Sequence, residues 1–265
     1  MNVPDRKRKG VLIWQVLLAM AFLSAWELGS ATKILDRFFF SRPSEVLLRV
    51  GQWMMTGDIW RHIFTTFAEA ALSFAFGALC GIFFGFLLAR LPVLAAIFDP
   101  FIKIANSLPR VVLAPIFLLW FGLGIWSKVA LGFTVVFFVV FFNAYRGVRE
   151  ADRVMINSVR MLGASERQLI RHVLVPSALS WIFASLHVSI GLAIIAAVVG
   201  EYLGASSGIG YLIAQAEGVF DTTGVFAGMT VLAIGVLFVG SIVNRLERRL
   251  LRWRPEHEGS SEEFA

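Results

Sequence analysis

The sequence predicts an all-α membrane protein with six transmembrane helices. Three observations carry that prediction. First, 58% of the 265 residues are hydrophobic and only 16% are charged, with 25 phenylalanines and a mean hydropathy of +0.76, outside the range of ordinary soluble domains. Second, the apolar residues gather in runs, and a chain of this length has room for about five to seven crossings of a ~30 Å hydrocarbon core. Third, the basic residues cluster between and beyond those runs, and a count of six spans brings three basic segments to one side.

The elements follow in order. Residues 1–10 form a basic N-terminus carrying Arg6, Lys7, Arg8 and Lys9, and span one runs from about Val11 to Ser30. No small-residue cleavage site leading into a soluble domain follows it, so it reads as a retained span rather than a signal peptide. The polar stretch Lys33 to His62 contains "SRPSEVLLRVGQWMMTGDIW", which is amphipathic and belongs at the surface. Span two, about Thr66 to Ala89, carries Gly77, Gly81 and Gly85 at every fourth position. That face admits another backbone closely, within the subunit or across a dimer seam. Pro92, Pro100, Pro109 and Pro115 then rule out one straight helix. A short interfacial helix followed by span three, about Arg110 to Phe121, fits them. Gly122 and Gly124 make a tight turn, Trp126 suits an interface, and Lys128 tops span four, about Val129 to Tyr145. Span five covers about Trp181 to Val199 and span six about Val225 to Val243. Residues 11–247 thus form one polytopic domain, and 248–265 form a tail.

Orientation follows from the arginines. Arg146, Arg149, Arg153, Arg160, Arg167 and Arg171 lie after span four, and Arg245, Arg248, Arg249, Arg252 and Arg254 after span six. Together with the N-terminus these place both termini and the segment after span four in the cytoplasm. The basic residues between spans one and two, Lys33, Arg37, Arg42, Arg49 and Arg61, point the other way but lie farther from the helix ends. The net charge of +6 therefore describes membrane topology, and no nucleic-acid partner is expected. Cys80 is the single cysteine, so no intrachain disulfide can form.

The segment between spans four and five, about 147–177, is the least membrane-like part of the chain. Val148, Ala151, Met155, Val159 and Leu162 recur at helical spacing and predict one amphipathic helix from Val148 to Leu162. Gly163 permits a sharp turn after Leu162. Ser165 with Gln168 forms a potential capping box that starts a second helix. There Leu169, Ile170, Val173 and Leu174 share one face, Arg167, Gln168, Arg171 and His172 the other, and Pro176 is expected to close the helix before span five. On pattern alone this compact knob could lie on anionic lipid or dock against a protein.

The spacing Gly163, nine residues, Val173, one residue, Val175, Pro176 resembles the "EAA---G---------I-LP" loop of ABC importer permeases. Asn157, Ser158 and Val159 stand at the positions that give the motif its name, and the nearby "EAD" at Glu150 to Asp152 is out of register. From about Phe40 to Gly240 the segments "FSRPSEVL", "LPRVVLAPIFLLWFGLGIWSK", "GVRE", "LGAS" and "VVGEYLGASSGIGYLI" look like the nitrate, taurine and alkanesulfonate branch of those permeases. The resemblance implies a type I importer permease fold and an inner-membrane permease subunit forming the pathway for a small solute. Its implied partners are a second permease copy, two ATPase subunits and an extracytoplasmic substrate-binding protein. The residues Gly163, Ala164, Ser165, Glu166, Arg167, Gln168, Arg171, Val173 and Pro176 would couple to the ATPase. The substrate could be an oxyanion such as nitrate, taurine or another sulfonate, or a neutral aromatic or heterocyclic nutrient.

Other polar residues are fewer. Glu201 closes span five beside "GASSGIG", so Glu201, Gly208 and Gly210 could organise helices or gate the pathway, or Glu201 could sit just outside the hydrocarbon. Glu69 is expected in a structural salt bridge. Asn143 and Asn106 suit hydrogen bonds at helix ends, and His187 suits the core, although His187 and Asn143 could line a pathway through spans three to five. His62, His172, His187 and His257 show no metal-ligand spacing. No G-x-x-x-x-G-K-[ST] loop is present, so the chain cannot itself supply an ATPase, and "GASSGIG" follows an apolar span rather than a strand. Neither cofactor nor catalytic constellation is expected. The competing class is a secondary transporter or channel working without ATPase subunits, for which Glu69, Glu201 and His187 would be the coupling groups.

Overall fold

The computed structural model describes residues 5–250, and these are helical with no strand among them. In chain order come α1 (Asp5–Ala31), α2 (Arg37–Phe40), α3 (Pro43–Thr56), α4 (Asp58–Arg90), α5 (Pro92–Ser107), α6 (Ala114–Phe121), α7 (Ile125–Arg149), α8 (Arg153–Met161), α9 (Glu166–Leu169), α10 (Val175–Leu203), α11 (Ile209–Gly218) and α12 (Thr222–Leu250). Five stretches are long and apolar enough to cross a membrane: Ile13–Ala31, Asp58–Arg90, Ile125–Arg149, Glu166–Leu203 and Thr222–Val243. Of the tail expected over 248–265, residues beyond Leu250 lie outside the described residues, Arg252, Arg254 and His257 among them.

Span three differs from its expectation. Residues Arg110–Leu113 form a 3₁₀ turn and α6 has only 8 residues, roughly 12 Å at 1.5 Å per residue, too short to cross alone. With α5 it makes a pair bent by 91°, the geometry of either a sixth, broken span or a re-entrant loop. The prolines explain the break. Pro92 opens α5, while Pro109 precedes the 3₁₀ turn and Pro115 sits in the first turn of α6, where a missing N–H costs nothing.

The chain divides into two compact units, residues up to Thr56 together with those from Ala216, and Gly57–Gln215. In the first, the end of α1 is tied to the segment before α3. Trp26 Nε1 donates to the Phe40 carbonyl at 3.1 Å and Ser30 Oγ to the Ser41 carbonyl at 2.8 Å. The amphipathic stretch forms α3, burying Val46 and Val50 one turn apart, and Arg49 pairs with Asp221 just ahead of α12. Trp26 packs on Phe226 of α12 with ring centroids 5.2 Å apart.

The second unit is built on α4, α7 and α10. The periodic glycines pack within the subunit, on α7. A Cβ at Gly77 would lie 2.7 Å from Val136 Cβ, at Gly81 2.9 Å from the Phe137 carbonyl oxygen, and at Gly85 2.6 Å from that of Phe141. The α7 backbone and the Cβ atoms of Val136, Val140 and Ala144 press directly onto the α4 backbone there, which maximises dispersion contact where the hydrophobic effect is absent. Helix α4 also starts at Asp58, two turns before the expected start of span two, because His62 and Thr66 have partners at that end. Gly81→Leu should drive into the α7 backbone and lower stability by about 1–3 kcal/mol or more. Gly191→Ala, on α10 with nothing within 4 Å of the added carbon, should be neutral or slightly stabilising. Thermal unfolding of the detergent-purified variants distinguishes the two, and equal melting temperatures would count against the close approach.

Candidate functional site

The segment between spans four and five forms a capped knob. Helix α7 ends at Arg149, and Asp152 restarts the chain as the N-cap of α8, its carboxylate accepting from Val154 N–H at 2.7 Å. The single helix expected from Val148 to Leu162 is therefore broken at 150–152, because Asp152 offers the backbone a competing side-chain bond and Ala151 is drawn into the core. Its apolar stripe rotates accordingly. Val148 and Ala151 are buried and Ile156 and Val159 half-buried, whereas Met155 and Leu162 are exposed.

Gly163 has φ +80°, the left-handed region that favours glycine. Its N–H donates to the Arg160 carbonyl at 2.9 Å and that of Ala164 to Val159 at 3.2 Å, the paired bonds of a Schellman C-cap. Ser165 and Gln168 form the expected capping box: Ser165 N–H donates to Gln168 Oε1 at 2.8 Å, and Ser165 Oγ accepts from Gln168 N–H at 3.4 Å. Leu169, Val173 and Leu174 are buried in a cluster with Ala89, Ala144 and Val148, while Arg167, Gln168, Arg171 and His172 face outward. Glu166 pairs with Arg90, the last residue of α4, and with Arg160 at 3.3 Å. Met161 and Leu162, 82% and 86% exposed, form an apolar tip where α8 ends.

Pro176 does not close the second helix. Residues Ile170–Leu174 form a π turn in which Val175 N–H donates to the Ile170 carbonyl, and the helix continues into α10. A proline inside an α-helix clashes with the carbonyl four residues back, and the wide turn upstream takes up that mismatch. The run Glu166–Leu203 is 38 residues, roughly 57 Å, so it overshoots a ~30 Å core and carries the knob on a direct extension of span five.

A second constellation lies at the opposite end of α10. Glu201 is buried, with Oε1 accepting from Thr66 Oγ1 at 2.6 Å and Oε2 from Gly210 N–H at 2.7 Å. Ile209 N–H donates to Thr66 Oγ1 at 2.8 Å and Gly208 N–H to His62 Nδ1 at 3.0 Å. Three consecutive N–H groups opening α11 are thus capped by α4 and α10, with His62 stacked on Tyr211 at 5.9 Å. Gly208 has φ +119°, and a side chain there would collide with the Glu201 carboxyl. Lys128 is also buried. Its Nζ donates to the Leu123 and Gly124 carbonyls at 2.6 and 3.1 Å, while its charge acts on Glu69 and Glu201.

Two expectations fail here. Glu69 makes no salt bridge among the described residues. Its carboxyl lies beside that of Glu201 and its Oε2 has no hydrogen-bond partner, because the Lys128 ammonium is held by backbone carbonyls. His187 is exposed on α10 rather than packed in the core. Asn143 Nδ2 donates to Val139 one turn back at 2.8 Å, and Asn106 Oδ1 accepts from Arg110 at 2.9 Å.

The family model for the binding-protein-dependent transport system inner membrane component matches residues 77–252. A Bacillus subtilis permease assigned to aliphatic sulfonates transport, SsuC, is 31% identical over 258 residues, covering 97% of this chain and 92% of that protein. The chain belongs to this family. The permease is also 33% identical over 254 residues to the formylaminopyrimidine transport permease ThiX of Halalkalibacterium halodurans (94% and 98% covered), and 28% identical over 239 to the taurine transport permease TauC of Escherichia coli (88% and 87%). Its fold is that of the type I importer permeases. A chain of the MetNI methionine ABC transporter in an inward facing conformation superposes with a TM-score of 0.63 at 19% identity, covering 75% of this chain and 97% of that one.

This protein is thus an inner-membrane permease subunit of an ABC transporter. Sequence reasoning missed His62, Thr66 and Lys128 as partners of the Glu201 loop. A signal was present: His62, Thr66, Glu69 and Ser73 recur at helical spacing and prolong the face that continues through Gly77, Gly81 and Gly85. Thr66→Val should leave Ile209 N–H and Glu201 Oε1 each short of a partner and cost about 1–3 kcal/mol. Gly208→Ala should cost more, adding backbone strain to a steric clash. Chemical unfolding of both variants checks the order, and a Thr66→Val variant as stable as the parent would sink this account of the clasp.

Proposed function

We propose that two copies of this permease enclose the pathway of an ATP-driven importer, served by two ATPase subunits and an extracytoplasmic binding protein. Both termini and the knob face the cytoplasm. The observation that carries this reading is the knob itself: capped at both ends of its turn, anchored by a buried apolar cluster, and presenting Met161 and Leu162 outward. An exposed apolar tip on a segment that also exposes Arg160, Arg167 and Arg171 suits insertion into a partner's groove. Residues Gly163 to Gln168, with Arg171, Val173 and Pro176, shape and support that tip. Closure of the ATPase pair would displace it and rock the spans, the energy coming from the partner's different affinities for the two states.

The exposed face of α10, with His187, Val188, Gly191 and Ile195, supports a pathway lined in part by span five, with the half-buried Asn143 of span four as a further lining candidate. Glu201, Gly208 and Gly210 serve in this reading as the clasp that holds α11 and shapes the outer end of the pathway. SsuC and TauC support a small sulfonate as the solute. ThiX, similar over nearly its whole length, favours a pyrimidine-like heterocycle as the second reading.

Reconstitution with the ATPase and binding protein, followed by stimulation of ATP hydrolysis with taurine, alkanesulfonates, nitrate and a formylaminopyrimidine, separates these substrates. Leu162→Glu should weaken copurification of the ATPase on the order of tenfold or more. Gly163→Pro is incompatible with a φ of +80°. It should leave the protein in the membrane but uncouple hydrolysis from uptake, as should charge reversal at Arg167 and Arg171. Unaltered uptake in all of these, or a permease that transports with no ATPase present, would favour a secondary transporter.

A further inference from the structure

The break between α7 and α8 opens onto a cleft of about 390 Å³ lined by Arg90, Arg149 and Arg153 over an apolar floor that includes Val148, Ile156 and Leu174. Arg149 is held in place by its own helix, its guanidinium lying 5.8 Å from the Tyr145 ring centroid. Among the described residues neither Arg149 nor Arg153 takes part in a salt bridge, and Arg90 shares the exposed Glu166. The acids nearest in sequence do not neutralise the site. Asp152 turns its carboxylate to the Val154 N–H, and neither it nor Glu150 lines the cleft.

We propose that this cleft binds the phosphate of an anionic lipid headgroup. Guanidinium groups recognise phosphate oxygens bidentately, and basic pockets between membrane helices on the cytoplasmic side are suited to such headgroups. A lipid is favoured over a soluble phosphate by position. Arg90 and Arg149 are the last residues of two membrane-spanning helices, so their guanidiniums stand where those helices leave the hydrocarbon, at the level of a headgroup whose tails remain in the bilayer. The bound phosphate ties together the end of span two, the end of span four and the first turn of α8. It stiffens the one place where the knob is not joined to span four by helical hydrogen bonds.

The inference rests on the cytoplasmic placement of the knob given above, and the test separates the two. Purified permease in neutral phosphatidylcholine nanodiscs is supplied with phosphatidylglycerol, and retained lipid is measured by native mass spectrometry alongside the shift in melting temperature. At about fivefold per arginine, Arg149→Gln with Arg153→Gln should weaken phosphatidylglycerol retention on the order of ten- to thirtyfold. Arg61→Gln, at the far end of α4, should leave it unchanged. The melting temperature of the double variant in phosphatidylcholine alone reports whether it is folded. Equal retention of phosphatidylglycerol by parent and folded double variant overturns the proposal. So does equal stabilisation by inorganic phosphate at the same concentration, which would assign the cleft to a soluble anion. Copurification of the parent with its ATPase is scored separately, so failure of the coupling reading leaves the lipid result standing.

Discussion

The approach of α4 to α7 along a face without side chains is the constraint on which the rest of this permease depends. At Gly77, Gly81 and Gly85 the α7 backbone and its Val136, Val140 and Ala144 side chains occupy the space where Cβ atoms would be. This contact fixes both the separation and the rotation of the two helices. It also determines where their ends emerge, Arg90 from one and Arg149 from the other. The same economy recurs around the bundle: Gly147 lies against Ala178 of α10, and Gly200 against the stem of Lys128. A small residue on one side of each crossing lets the partner helix approach closely, and the stacked ladder Phe133, Phe137, Phe141 and Tyr145 runs along α7 beside them.

The same face of α4 changes character along its length. Toward Arg90 it is glycine, and toward Asp58 it is polar, with Thr66, Glu69 and Ser73 all buried. Polar groups in an apolar interior are costly unless bonded, so this half of the interface is held by directional bonds, with Glu69 Oε2 the exception. Thr66 illustrates the economy of the match, its hydroxyl donating to Glu201 while accepting from Ile209. A buried Lys128 whose ammonium is satisfied by the carbonyls preceding α7 completes the set. One helix face thus contributes close packing at one end of the bundle and directional bonding at the other, and the second of these holds a glycine-rich loop in a single conformation.

Much of this was legible in the sequence, and what was not has identifiable reasons. The glycine period along α4, the turn at Gly163 and the Ser165–Gln168 capping box are local features, decided by backbone sterics within a few residues, and the structure has them as expected. The break at Glu150–Asp152 was hidden because Asp152 fits either a helix surface or an N-cap, and periodicity does not distinguish the two. Pro176 was misplaced because a proline normally ends an α-helix, and a π turn leaves no compositional mark. The polar clasp was obscured for another reason: Thr66 and Glu201 are 135 residues apart, and only the packing of α4 on α10 brings them together. His187 was misjudged because an exposed histidine on a membrane helix resembles a buried one until its neighbours are known.

The two departures from the expected knob bear on how it would work. On the α10 side the backbone is continuous: capping box, π turn and span five form one helical run, and Leu169, Val173 and Leu174 anchor it along its inner face. On the α7 side the helix stops at Arg149, and α8 begins again only after three non-helical residues. A continuous helix transmits an axial or tilting displacement with little loss, whereas a break absorbs part of it in φ and ψ. In the proposed cycle, therefore, movement of the tip would pass chiefly into span five, with span four following through its glycine-mediated contacts rather than through the chain. The clasp at Glu201 sits at the far end of that same helix. A tilt of α10 would reach it directly, so the two constellations of this permease share one rigid element.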